Sequence, residues 1–105
     1  MLLARVIGTV VSTQKDDALQ GRKLLLLRPL LVDEAGQFRP GPSTIVAVDS
    51  LGAGQGETVL FCQGSSARQA AGMATVPVDA VVTGIVDNVD VNHRTIYPEP
   101  AKTSK

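Results

Sequence analysis

Leu2-Leu3-Ala4-Arg5-Val6-Ile7-Gly8-Thr9-Val10-Val11-Ser12-Thr13 is the stretch on which the fold turns. β-Branched side chains dominate it, and these fit a pleated surface better than a helix. As a strand it sets Leu3, Arg5, Ile7, Thr9 and Val11 on one face and Leu2, Ala4, Val6, Gly8 and Val10 on the other. Gly8 stands mid-strand, where a glycine marks a bulge, a tight bend or the close approach of another backbone. The same device recurs at Gly84, inside a second long strand expected over Val78–Val91. Two long strands, each interrupted by glycine, predict a small curled barrel.

Between them the chain alternates short strands with connections. Lys15–Gly21 is polar and ends in glycine, a loop. Arg22–Leu31 is a second strand, with Pro29 pointing to a free edge or bend near its end. Asp33–Pro42, rich in glycine and proline, is expected to be a mobile loop, followed by strands at Ser43–Val48 and Glu57–Gln63. Gly64–Gly72 predicts a short helix, with Ser66 capping it, Gln69 answering as in a capping box and Gly72 stopping it. Thr95–Tyr97 is a last short extension. The fold class is therefore all-β with one short helix, a five-stranded OB-like barrel. Residues 1–97 form one domain and 98–105 a frayed tail.

Leu24–Leu27 and Val81–Val86 are apolar on both faces. A strand of a small antiparallel barrel needs only one apolar face, so these runs call for a second cover. In a chain of 105 residues that cover is expected to be another subunit.

Composition excludes several functions. Lys plus Arg is 10 and Asp plus Glu is 10, and neither half of the chain is a basic arm or acidic tail. Phosphate neutralisation needs a clustered cationic surplus, and only Phe38, Phe61 and Tyr97 could stack on bases, so no nucleic-acid partner is expected. No apolar run reaches the roughly 18 to 20 residues of a membrane helix, so no membrane partner is expected. Cys62 is the lone cysteine, which allows neither an intrachain disulfide nor a thiolate zinc cluster and fits a reducing cytosol.

Candidate chemistry is thin. Gly52-Ala53-Gly54-Gln55-Gly56 is followed by a strand rather than a helix, so a tight turn outweighs a phosphate cradle. Gly64-Ser65-Ser66-Ala67 lacks the second glycine of a nucleophile elbow, and capping is the better account. Cys62 has no neighbouring base or cation, and a buried small hydrophobe is expected. His93, with Asp87 and Asp90 nearby, has no metal-site spacing and suits a surface turn. An ion pair between Arg68 and Asp79 is expected, within or between subunits. Neither catalytic residues nor a metal or cofactor are expected.

Taken in order, several segments resemble the pentameric vertex proteins of bacterial microcompartment shells, the EutN/CcmL family. They are Ala4–Val11, Gly21–Leu26, Val46–Glu57, Gly64–Gln69, Pro77–Ala80 and Gly84–Asp87. Ser12-Thr13-Gln14-Lys15 and Val91-Asn92-His93-Arg94 resemble its carboxysome branch most. The Phe38–Pro42 loop and the tail depart from the pattern. The resemblance implies a non-enzymatic homopentamer at the corners of an icosahedral shell, in the cytoplasm, with hexameric shell proteins as partners. Arg68, Asp79, Val82 and Ile85 are the candidate subunit interface, and Gly52, Ala53, Gly54, Gln55 and Gly56 a candidate loop at the axial pore. The alternative is an OB-like domain that binds an oligonucleotide or a small anionic ligand.

Overall fold

The computed structural model describes residues 1–12, 21–64 and 79–99. Its strands are β1 (Leu2–Val10), β2 (Lys23–Val32), β3 (Phe38–Pro40), β4 (Ile45–Asp49), β5 (Thr58–Gln63), β6 (Ala80–Ile85), β7 (Val89–Val91) and β8 (Arg94–Tyr97). The main sheet runs β1-β5-β6-β4-β2-β3, and β1 also pairs with β2. That extra pairing closes β1, β2, β4, β6 and β5 into a five-stranded barrel with β3 attached outside it. Every pairing in it is antiparallel except β4 with β6. The expected barrel is present.

Alternation along each strand fills the interior. Ala4 and Val6, Leu25 and Leu27, Val59 and Phe61, and Ala80 and Val82 all join one core with Ala47 and Ala53. Phe61 is the largest of the fully buried side chains. Burial of such a ring contributes about 1.5–3 kcal/mol.

Both glycines sit beside bulges. In β1, Val6 pairs with Leu27 and Gly8 with Leu26, so Ile7 is the extra residue. In β6, Val82 pairs with Phe61 and Gly84 with Leu60, so Thr83 is extra. Bulges sharpen twist and bend a strand, which a five-stranded sheet needs in order to close. Among the described residues no backbone crowds either glycine. A Cβ on Gly8 would meet nothing within 4 Å, and one on Gly84 would touch Leu60 Cδ1 at 3.4 Å.

The bulge at Ile7 also corrects the face assignment of β1. A one-residue slip exchanges the two faces. Thr9 therefore lies opposite Leu25, on the core side of its neighbour, while Val10 lies opposite Leu24.

Pro29 is not at a free edge. It pairs with Ala4 on β1, at the point where the other side of β2 passes from β4 (Leu27 with Ile45) to β3 (Leu30 with Pro40). There its carbonyl accepts a hydrogen bond of 2.7 Å from the Gly41 amide. The N–H that proline lacks would point to that same side, into the gap between the two partner strands.

Two further expectations are corrected. The single strand over Val78–Val91 is two strands: β6 ends at Ile85, and β7 turns back to pair with β8 as a separate hairpin. Asn92 and His93 form its turn with φ of 52° and 64°, the left-handed pair that a two-residue hairpin turn requires. The Asp33–Pro42 segment is an ordered hairpin arm. Asp33 accepts from the Gln37 amide (2.9 Å) and from Arg39 Nε (2.8 Å), and β3 then pairs with β2. The short helix expected at residues 64–72 lies outside the described residues from Ser65 onward, as does the tail from Pro100.

Gly41 is packed most tightly, since a Cβ there would lie 3.2 Å from the Pro29 carbonyl oxygen and 3.3 Å from Pro29 Cβ. Gly41→Ala is expected to cost about 1–3 kcal/mol by overpacking, and Gly84→Ala distinctly less, in chemical denaturation. The Asp33 carboxyl is held below its ordinary value of 3.8, first by the Gln37 amide and then by Arg39. A carboxylate favoured in the folded state stabilises fully above its unfolded pKa and ceases to do so as pH falls through its lowered folded value. The stability difference between the wild type and Asp33→Asn is therefore expected to begin shrinking below about pH 4 and to be lost once the pH falls through the lowered folded value, as followed by melting against pH.

Candidate subunit interface

Residues opposite each other on neighbouring strands share a face, so the register identifies the side chains that point away from the core. Leu24 lies between Val48 and Val10, and Leu26 between Val46 and Gly8. All of these face outward from β1, β2 and β4. Val10, Leu24 and Leu26 are half-buried and Val46 is 46% exposed. Gly8 leaves an open notch among them, because no atom of the described residues lies where its side chain would be. The second apolar face expected of Leu24–Leu27 is thus an outer wall that this chain covers only in part.

The loop beside this wall is rigidly held. Asp49 is 4% exposed and accepts from three backbone amides, Leu51 (3.0 Å), Gly52 (3.1 Å) and Ala53 (2.8 Å). Gly52, with φ of 85°, lets the turn fold around that carboxylate. Lys23 Nζ then donates to the Ala53 carbonyl at 2.8 Å. Glu57 accepts from the Gly54 amide, and the Gly56 amide donates to the Val6 carbonyl at 2.8 Å. The glycine cluster is therefore a turn between strands, with the Gly52, Ala53, Gly54 and Gly56 amides already spent on protein acceptors rather than free for a phosphate.

The residues singled out in the sequence are scattered. Val82 faces inward and is enclosed by the chain's own core, whereas Ile85 is 38% exposed at the end of β6. Asp79 is exposed just before β6, and its carbonyl accepts from the Gly64 amide at 2.8 Å. Arg68, Ser65 and Ser66 lie outside the described residues. Of the glycine turn, Gly52, Gln55 and Gly56 are exposed and Gly54 is half-buried, while the Ala53 side chain is part of the core and cannot line an opening.

Cys62 is half-buried on the outward face of β5 opposite Val81, and His93 sits exposed in the hairpin turn. Asp90 accepts from Thr95 Oγ1 at 2.7 Å, a bond within that hairpin. Among the described residues no three potential ligands gather where they could hold a metal. Asp49 and Glu57 carry the loop but were not singled out in the sequence. An Asp followed three residues later by Gly, as in Asp49-Ser50-Leu51-Gly52, is the signal of an Asx-type turn that could have found the first.

The family model described as ethanolamine utilisation protein EutN/carboxysome matches residues 1–87. The chain belongs to the EutN/CcmL family.

Within this family, the carboxysome shell vertex protein CcmL of Gloeobacter violaceus is 55% identical over 97 residues, covering 92% of this chain and 93% of that protein. The solved structure of Gloeobacter violaceus CcmL superposes with a TM-score of 0.80 at 52% identity, over 94% of this chain and 98% of that one. The GrpN pentameric microcompartment shell protein from Rhodospirillum rubrum superposes with a TM-score of 0.73 at 48% identity, over 87% of this chain and 99% of its own. The family match reaches past β6, so it takes in the wall, the Asp49 turn and the whole barrel.

Asp49→Ala would leave three amides without their acceptor. Hydrogen bonds to a charged group are worth about 1.5–3 kcal/mol. The variant is expected to lose at least about 2 kcal/mol in urea unfolding, with faster amide exchange at Leu51, Gly52 and Ala53.

Proposed function

We propose that this chain is a shell vertex protein of a bacterial microcompartment, that it works as a homopentamer, and that its shell is a carboxysome. The 55% identity to a carboxysome shell vertex protein across nearly the whole chain carries this reading. The half-covered outer wall supports it from physics, since an apolar surface of this kind is stabilised by a second subunit.

The work done is geometric. Flat sheets of hexagonal tiles cannot close, and five-fold units at the corners supply the missing curvature. A ring joins two different faces of each subunit and closes once the rotation is complete. The wall of Val10, Leu24, Leu26 and Val46, with the Gly8 notch, serves as one face. Ile85 and Asp79 belong to the other, where Asp79 pairs with Arg68. The turn at Gly52, Gly54, Gln55 and Gly56 faces the axis. Hexameric shell proteins are the outer partners, and neither nucleic acid nor membrane is involved.

The protein performs no catalysis. The relatives it matches are named as shell vertex proteins, which supports a structural role in place of a catalytic one. Phe61, wholly buried, offers no stacking surface, which disfavours the oligonucleotide alternative.

Light scattering is expected to give a mass of five times 11.0 kDa that persists on dilution. Val46→Asp should yield monomers with an unchanged β-sheet circular dichroism spectrum, whereas Val82→Asp should unfold the barrel. A wild type that stays monomeric at all concentrations would overturn the vertex reading, and a pentameric Val46→Asp would remove the wall from the interface.

A further inference from the structure

Four buried side-chain polar atoms have no hydrogen-bond partner among the described residues: Arg5 Nε, Arg28 Nε, Thr58 Oγ1 and Thr83 Oγ1. Three of them belong to one cross-strand row. Arg5 on β1 is opposite Arg28 on β2 and, on its other side, opposite Thr58 on β5. Ala4 and Val6 point into the core, so this row faces outward. Like charges directly opposite one another destabilise a sheet, and buried donors without acceptors cost more.

The row is also held in place. The Arg5 guanidinium lies 5.9 Å from the centroids of both the Phe38 and the Tyr97 rings. Tyr97 Oη in turn accepts from the Thr58 amide at 3.4 Å. Rings on β3 and β8 thus flank Arg5 at cation–π distance. Among the described residues the acid paired with the row is Glu99, 3.4 Å from Arg5 with its side chain 62% exposed. An exposed ion pair of that kind offsets little of two positive charges. Among the described residues Arg28 has no acidic partner.

We infer that the Arg5–Arg28–Thr58 row is a binding site for one oxyanion, a carboxylate or a phosphate-like group. Everything missing from the row is what such a group supplies: negative charge and several acceptor oxygens. Guanidinium groups take planar or tetrahedral oxyanions through paired, charge-assisted bonds. The oxyanion comes either from solution or from a side chain of a neighbouring chain in the assembly. The inference rests on this chain's register and unpaired donors, and it holds whether or not the chain closes a shell.

The test is melting of the assembled full-length protein in chloride, phosphate and acetate at matched ionic strength. With a free oxyanion, phosphate or acetate raises Tm to a plateau, unlike the unsaturating effect of a salt excluded from the surface. Arg28→Gln is expected to weaken that response by about tenfold or more, without lowering Tm in chloride, since a like-charge contact has gone. With a neighbour's carboxylate already in the site, the wild type does not respond to added anions. Arg28→Gln then dissociates the assembly at lower salt, and Arg28→Lys restores it in part. Two results overturn the inference: an anion response unchanged in Arg28→Gln, or a wild type that melts alike in all three salts with Arg28→Gln assembling as it does.

Discussion

Closure of the barrel rests on β1 being paired along both edges, to β2 over most of its length and to β5 over its first half. Five strands make a narrow cylinder, and strands bent that sharply need more backbone on the outside of the curve than on the inside. Ile7 and Thr83 supply that backbone as extra residues, one in each of two different seams. The core depends on this closure. Ala4, Val59 and Val82 meet Phe61 because their strands curl toward one axis. The Asp49 turn depends on it as well, since the Gly56 amide reaches β1 at Val6.

A narrow cylinder has a small interior and a large exterior, and the sequence supplies more apolar side chains than the interior takes. Part of the surplus shares one side, where Leu24, Leu26, Val10 and Val46 lie on the outer surface of β1, β2 and β4. The loop next to this side is fastened by a carboxylate, a lysine and a second acid rather than left slack. A rigid apolar wall bounded by a rigid loop is well prepared for a partner, because little entropy remains to be lost on contact.

Much of this was legible in the residues. Gly8 and Gly84 marked the bends, and a leucine run apolar on both faces marked the wall. The misreadings have physical causes. Periodicity cannot say which residue beside a glycine is the extra one, so the faces of β1 were exchanged beyond Ile7. Val86–Asn88 has no glycine or proline to advertise the break before β7, and its hairpin turn uses Asn92 and His93 in place of the usual glycine. The proline and glycine density of Asp33–Pro42 suggested mobility, but the Asp33 carboxylate ties that arm together. Val82 looked like an interface residue because a one-dimensional pattern does not tell the inside of a cylinder from the outside. The arginine row needed the register of three strands at once, and no single stretch contains it.

The closed seam has a consequence for how assemblies of this fold can grow. Among the described residues, only β3 of the main sheet ends at an edge, and this strand is three residues long and finishes in Pro40. A strand so short, with a residue that cannot donate, is a poor template for another chain's backbone. Association is left to side chains, which have no fixed repeat and do not propagate a ladder. Were the wall of Val10, Leu24, Leu26 and Val46 the contact, the angle between neighbouring subunits would be set by the volumes of those aliphatic groups. Substitutions there can retune curvature, and with it the number of subunits per ring, while every hydrogen bond of the barrel stays as it is.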